Sequence, residues 1–217
     1  MDGLIFDVDG TIWNSTGIVA EAWNAAIKEA GADADEVTAE ILKGQFGKMM
    51  NVIGDNLFPR VPEGKERENL LHLCEAKEEK ALAENERDIS YPGLKETMKK
   101  LSEIPGLKLF IVSNCQSGYI ELVMEKTGIA EYITDFICYG DNKLPKNENI
   151  KIIVERNGLK DPYYVGDIDG DRIASEAAGV PFIHAAYGFG AVEKYAYKVD
   201  DITELYKIAV DELLGEK

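Results

Sequence analysis

The chain of 217 residues is 45% hydrophobic and 29% charged, an ordinary globular balance with enough length to bury a sizeable core. A formal net charge of −16 excludes the broad basic surface that nonspecific binding to nucleic acid or an acidic membrane requires. No apolar stretch reaches about 18 residues, so no transmembrane helix is expected. Met1-Asp2-Gly3 lacks a basic leader, so no secretory signal is expected, and Cys74, Cys115 and Cys138 lack C-x-x-C spacing, which points to a reducing cytoplasm.

Taken in chain order, the first predicted strand is Leu4-Ile5-Phe6. From about Asn14 to about Ser90 no strand is expected. Instead the pattern predicts helices over 18–30, 34–43 and 48–56, and a long charged helix over 63–86 whose Glu/Lys spacing at i, i+4 suits a solvated face. An alternating series follows. Its strands are at 109–112, 136–138, 163–165 and 181–183, with helices at 93–103, 118–126 and 149–157 among them. Strand–helix alternation predicts a doubly wound parallel α/β sheet. The long gap exceeds any ordinary crossover, so it predicts an inserted helical subdomain. The expected organisation is a catalytic core of residues 1–14 and 90–217 with a helical cap at 15–89.

In such sheets ligands bind beyond the carboxyl ends of the strands. The first strand ends in Asp7-Val8-Asp9-Gly10-Thr11 and the second in Ser113-Asn114. The next two are followed by Gly140-Asp141 and by Gly166-Asp167-Ile168-Asp169-Gly170-Asp171. Lys143 and Lys146 lie in the loop after the third strand. Clustered carboxylates require a cation, and an all-oxygen donor set suits a hard one, Mg²⁺. A lysine and a Ser-Asn pair suit a phosphate, and an aspartate beside a metal can attack phosphorus. The residues together point to metal-assisted phosphoryl transfer.

Four elements resemble, in order, the motifs of the haloacid dehalogenase superfamily in its phosphatase and phosphomutase branch: Asp7-Val8-Asp9-Gly10-Thr11, Ser113-Asn114, Lys146, and Gly166-Asp167 with Asp171. The resemblance spans almost the whole chain and implies a Rossmann-like core with a helical cap. It implies that Asp7 is the nucleophile and a Mg²⁺ ligand. Asp9 is then the general acid/base, with its backbone carbonyl on the metal. Asp167 is a side-chain ligand, and Asp171 supports the metal through water or a further layer of contacts. Ser113, Asn114 and Lys146 would hold the phosphoryl group. Close relatives carry Lys-Pro at the third motif, whereas this chain reads Asn142-Lys143-Leu144-Pro145-Lys146. Lys146 is favoured because it directly precedes the helix expected near Asn149, and Lys143 is the alternative. Asp9 argues against dehalogenation, because a halide needs no protonation. The implied substrate class includes phosphoglycolate. A sugar phosphomutase similar to β-phosphoglucomutase and a non-catalytic module on the same scaffold are the competing readings.

Other residues carry blander expectations. "DIDGD" at 167–171 fails as a calcium loop, because positions 6 and 12 hold Arg172 and Ala178 instead of Gly and Glu. Asp169 reads as a loop residue and Cys115 as packing. His72 reads as structural or exposed, and His184 as a residue that could approach the site. Trp13, Trp23, Phe46, Met49 and Met50 read as cap core, with Gln45 and Lys48 as cap contacts to the substrate or, for Lys48 equally, a solvated face. The sequence leaves the oligomeric state open.

Overall fold

A four-residue apolar run, Gly3–Phe6, forms β1, with Leu4, Ile5 and Phe6 wholly buried in the computed structural model, which describes residues 1–215. The strand pairs in parallel on both sides, so neither edge of its backbone is left for water to satisfy. Burial of each of these large side chains contributes on the order of 1.5–3 kcal/mol. Four helices follow: α1 (Thr16–Ala30), α2 (Ala39–Lys43), α3 (Met50–Leu57) and α4 (Lys65–Glu84). The chain then runs α5 (Leu94–Ser102), β2 (Lys108–Ser113), α6 (Tyr119–Thr127), β3 (Ile133–Cys138), the short α7 (Tyr139–Asn142) and α8 (Lys146–Asn157). It ends with β4 (Pro162–Gly166), α9 (Asp169–Ala178), β5 (Phe182–Ala185), β6 (Tyr197–Val199) and α10 (Glu204–Leu214).

The strands form one parallel sheet of order β3-β2-β1-β4-β5-β6. This is the doubly wound arrangement that the alternation predicts. The order reverses between β1 and β4, and at such a point the helices on either side diverge and leave a crevice at the carboxyl ends. Phe6 pairs with Val165 across that boundary, which sets Asp7 beside the end of β4. Ile5, Phe110, Val112, Ile150, Ile153, Tyr164 and Phe182 form a core cluster from the sheet and α8. Among the described residues, no helix is long and apolar enough to cross a membrane.

The chain divides into two compact units, residues 1–14 with those from Asp88 onward, and Ser15–Arg87. In the first, the two strands of chain bordering the insertion pair with each other. Asn14 N–H donates to the Ile89 carbonyl at 2.9 Å, Tyr91 N–H donates to that of Ile12 at 3.1 Å, and Trp13 bridges Ser90 antiparallel. In the second, α1 packs on α4, and Trp23, Leu70, Leu71 and Cys74 are buried.

Several local expectations change. Residues 34–38 are not helical. The Asn24 side chain brackets Val37, accepting from its N–H at 2.8 Å and donating to its carbonyl at 2.7 Å. Arg60 binds Asp33 and Asp35, so these tertiary hydrogen bonds hold the segment extended until Thr38 caps α2. The face of α4 is not wholly solvated either. Glu78 is 5% exposed and accepts from Trp23 Nε1 at 2.8 Å, and Arg67 is buried against Asp55 at 2.5 Å. β6 is a short edge strand with one buried residue, too brief and too polar to stand out by pattern.

Candidate active site

Asp7 directly follows β1, and its N–H continues the ladder to the Val165 carbonyl at 2.9 Å. The chain then turns tightly, with Ile12 N–H on the Val8 carbonyl at 2.7 Å and Gly10 N–H on that of Trp13 at 2.9 Å. Gly10 has φ +84°, and a Cβ there would lie 2.0 Å from Asp167 Oδ2, so conformation and space both demand glycine. The same carboxylate is approached from a second side by Gly188, whose added Cβ would meet Asp167 Cβ and the Gly10 carbonyl at 2.3 Å. Phe189 N–H donates to Asp167 Oδ2 at 2.8 Å.

Asp171 lies in the first turn of α9. Its Oδ2 accepts from the N–H groups of Asp167 at 3.1 Å and Ile168 at 3.3 Å, capping that helix. Its Oδ1 accepts from Lys146 Nζ at 2.6 Å, and the same ammonium donates to Asp7 Oδ1 at 2.9 Å. Lys146 is the first residue of α8, which begins there and not near Asn149. Its ammonium also lies 5.8 Å from the centroid of the Tyr164 ring. Lys143 is elsewhere: exposed, with left-handed backbone, its ammonium 5.3 Å from the Tyr139 ring centroid.

Oxygens of Asp7, Asp167 and Asp171 all lie within 4.8 Å of one another, and the three side chains are almost fully buried. Burial pushes the Asp7 carboxyl up to about 7, with Lys146 opposing and Asp171 adding to the rise. Burial, then the charges of Asp171 and Asp7, push Asp167 well above the usual carboxylate range. Burial alone would lower the Lys146 ammonium, but Asp171 and Asp7 outweigh it and hold it well above its ordinary value. Three carboxylates against one ammonium leave two negative charges when all are ionised. An all-oxygen, buried, under-neutralised group of this kind fits a hard divalent cation.

Ser113 closes β2, the strand beside β1, and is 6% exposed, its hydroxyl against the Cys115 thiol. Asn114 follows it, half-buried. Burial raises the Cys115 thiol well above its ordinary range, which disfavours a nucleophilic thiolate. Asp169 is exposed and paired with Arg172 at 2.6 Å. His184 lies in β5, its Nε2 at 3.3 Å from the Gly190 carbonyl. Gln45 and Lys48 belong to the helical unit, where Lys48 Nζ donates to the Gly44 carbonyl at 2.7 Å and to Gln45 Oε1 at 3.2 Å.

Sequence reasoning missed several neighbours of these groups. Trp13, expected in the cap core, lies in the sheet-bearing unit and donates from Nε1 to Asp9 Oδ1 at 3.0 Å. Tyr119 OH donates to the same oxygen at 3.0 Å. Tyr187 OH donates to the Thr11 carbonyl at 2.9 Å, just before Gly188 and Phe189. Trp13 stands four residues after Asp9, and "GFG" at 188–190 follows a strand end. These were the available signals, and neither is distinctive alone.

A Rossmann-ordered parallel core with buried carboxylates and a lysine at its switch point defines the architecture of a carboxylate-centred α/β hydrolase. The family model for haloacid dehalogenase-like hydrolases matches residues 4–185, and the chain belongs to that family. It is 26% identical over 219 residues to a phosphoglycolate phosphatase of Vibrio parahaemolyticus, covering 94% of each chain. It is 28% identical over 199 residues to one of Photobacterium profundum, covering 86% of this chain and 83% of that one. Among solved structures, one described as a predicted phosphoglycolate phosphatase from Haemophilus somnus superposes with a TM-score of 0.82 at 22% identity. It covers 96% of this chain and 98% of that one.

Proposed function

We propose that this hydrolase is a Mg²⁺-dependent phosphatase of a small phosphorylated metabolite, with phosphoglycolate the first substrate to test. The observation that carries the reading is the Lys146 ammonium bridging Asp7 and Asp171 within a cluster of three buried carboxylates. The similar phosphoglycolate phosphatases support the substrate class. Asp7 and Asp167 would hold the cation by their side chains and Asp9 by its backbone carbonyl, with Asp171 behind them. When bound, Mg²⁺ would neutralise this group and the developing charge on the phosphoryl oxygens.

Asp7 attacks phosphorus as the P–O bond to the leaving group breaks, forming an aspartyl phosphate. Asp9 gives its proton to the departing oxygen, then takes one from the water that hydrolyses the acyl phosphate. Lys146, Ser113 and Asn114 hold the transferring group, so catalysis is mostly positioning and charge stabilisation. Gln45 and Lys48 are the proposed selectors of the leaving group. A panel of metabolite phosphates, scored by kcat/KM with Mg²⁺ and with EDTA, tests the reading. Phosphate release that stops on chelation and resumes with Mg²⁺ is expected. Isomerisation of sugar phosphates without net phosphate release would overturn it in favour of a mutase, and inactivity across the panel would leave a non-catalytic module.

A further inference from the structure

Two aromatic side chains converge on one oxygen of the Asp9 carboxylate. Trp13 Nε1 and Tyr119 OH each donate to Oδ1 at 3.0 Å. Their rings meet edge to face with centroids 5.8 Å apart, and both are buried. Each donor is itself held by backbone. Trp13 bridges both Asp9 and Ser90, and Tyr119 opens α6 directly after Gly118. The three residues come from the turn after β1 and from the helix after β2, so the sheet alone brings them together.

We propose that Trp13 and Tyr119 are positioning residues that orient the Asp9 carboxylate for proton transfer to the leaving-group oxygen. The proposal rests on the reading of Asp9 as general acid. The terminal torsion of an aspartate is broad and roughly two-fold, so an unrestrained carboxyl presents either oxygen. Two donors converging on Oδ1 break that symmetry. The edge-to-face ring contact fixes the angle between the two donors, and with it the plane of the carboxylate.

A purely structural role, satisfying a half-buried carboxylate, would need the same hydrogen bonds. The two roles differ in which substrates feel their loss. Tyr119→Phe keeps the ring and its contact with Trp13 but removes one donor, and Trp13→Phe removes the other. The probes are phosphoglycolate, or the fastest alkyl phosphate of the panel, and p-nitrophenyl phosphate. An alkoxide must be protonated as it leaves, whereas nitrophenolate departs without help. The ratio kcat/KM covers events up to departure of the leaving group, so the later role of Asp9 toward water does not enter it.

Each variant is expected to lose about 10- to 100-fold in kcat/KM on the alkyl phosphate, part of the 10²–10⁴ that general acid catalysis supplies. The loss on p-nitrophenyl phosphate should stay below about threefold, with the melting temperature and its rise on adding Mg²⁺ retained. Equal losses on both substrates, or no loss on either, would overturn the positioning role while leaving the phosphatase reading intact. Wild-type enzyme inactive on both would overturn that reading, and the proposal with it.

Discussion

Lys146, the first residue of α8, donates to Asp7, the residue after β1, across 2.9 Å; both side chains are buried and 139 positions separate them in the chain. The pair is electrostatically unequal, because the same ammonium also serves Asp171 at 2.6 Å. One cation therefore holds two carboxylates, and its removal leaves both buried without it.

Lys146→Met should accordingly lower both stability and turnover. Breaking a buried ion pair by removing one partner costs about 3–5 kcal/mol. In a chain of this size that is a fall in Tm on the order of 10 °C. Turnover on the best substrate should fall at least about 100-fold, since the charge proposed to hold the phosphoryl group is lost. Lys143→Met, at an exposed position, should change stability by no more than about 0.5 kcal/mol. Thermal melts and steady-state kinetics on the two variants decide which lysine serves the site. A larger activity loss in the Lys143 variant would reverse the assignment.

Asp7→Asn removes the proposed nucleophile with almost no change of shape. Turnover should fall at least about 10³-fold, on the scale of other lost nucleophiles. Stability without metal should not fall, because one member of a crowded carboxylate group becomes neutral. Substantial residual turnover, or failure to trap phosphate on the wild-type protein but not on the variant, would refute the covalent step.

The shifted Asp7 carboxyl also links metal to pH. Its value rises from an ordinary 3.8 to about 7 in the folded protein, chiefly through burial. A raised acid contributes stability that is complete below the unfolded value and is lost as pH climbs through the folded one. Without metal, Tm should fall between about pH 4 and pH 7 partly on this account. A divalent cation relieves the repulsion that opens at the higher pH, so the rise in Tm on adding Mg²⁺ should be larger near pH 8 than near pH 5.5. Scanning calorimetry with EDTA or Mg²⁺ measures it. The pH dependence of that rise should shrink in Asp7→Asn, and an equal rise at both pH values in the wild type would contradict the linkage.

In the helical unit, Glu78→Ala strands the Trp23 indole N–H that now donates at 2.8 Å. An unsatisfied buried donor costs about 1–3 kcal/mol, visible in urea titration. Glu78→Gln retains an acceptor and should cost less. Matching stability for Glu78→Ala and the wild type would mean that the hydrogen bond contributes nothing net.

The apolar runs that became β1 and β2 were legible because both faces of a central parallel strand are covered, which leaves an unbroken hydrophobic signature. The helices α1, α5 and α6 were legible by their period, and α4 by its Glu/Lys spacing at i, i+4. What failed to show was decided by distant partners. Asn24 and Arg60 hold 33–37 away from a helix that local pattern favours. Glu78 looks solvated by its charge spacing, yet a tryptophan on α1 takes it inside. Trp13 looks like core of the insertion, yet its indole serves Asp9.

The sequence by itself determined the alternation of strand and helix, the long helical insertion and the identities of the carboxylates, because strand ends, glycines and apolar runs are local signals. Only the tertiary structure decided which lysine reaches Asp7, because the start of α8 sets the direction of the first side chain and sequence spacing does not. It also decided that Asp7, Asp167 and Asp171 share one cluster while Asp169 faces solvent beside Arg172. The reversal of strand order between β1 and β4 is a property of the whole sheet, and it brings carboxylate oxygens 160 positions apart in the chain, those of Asp7 and Asp167, within 4.8 Å of each other.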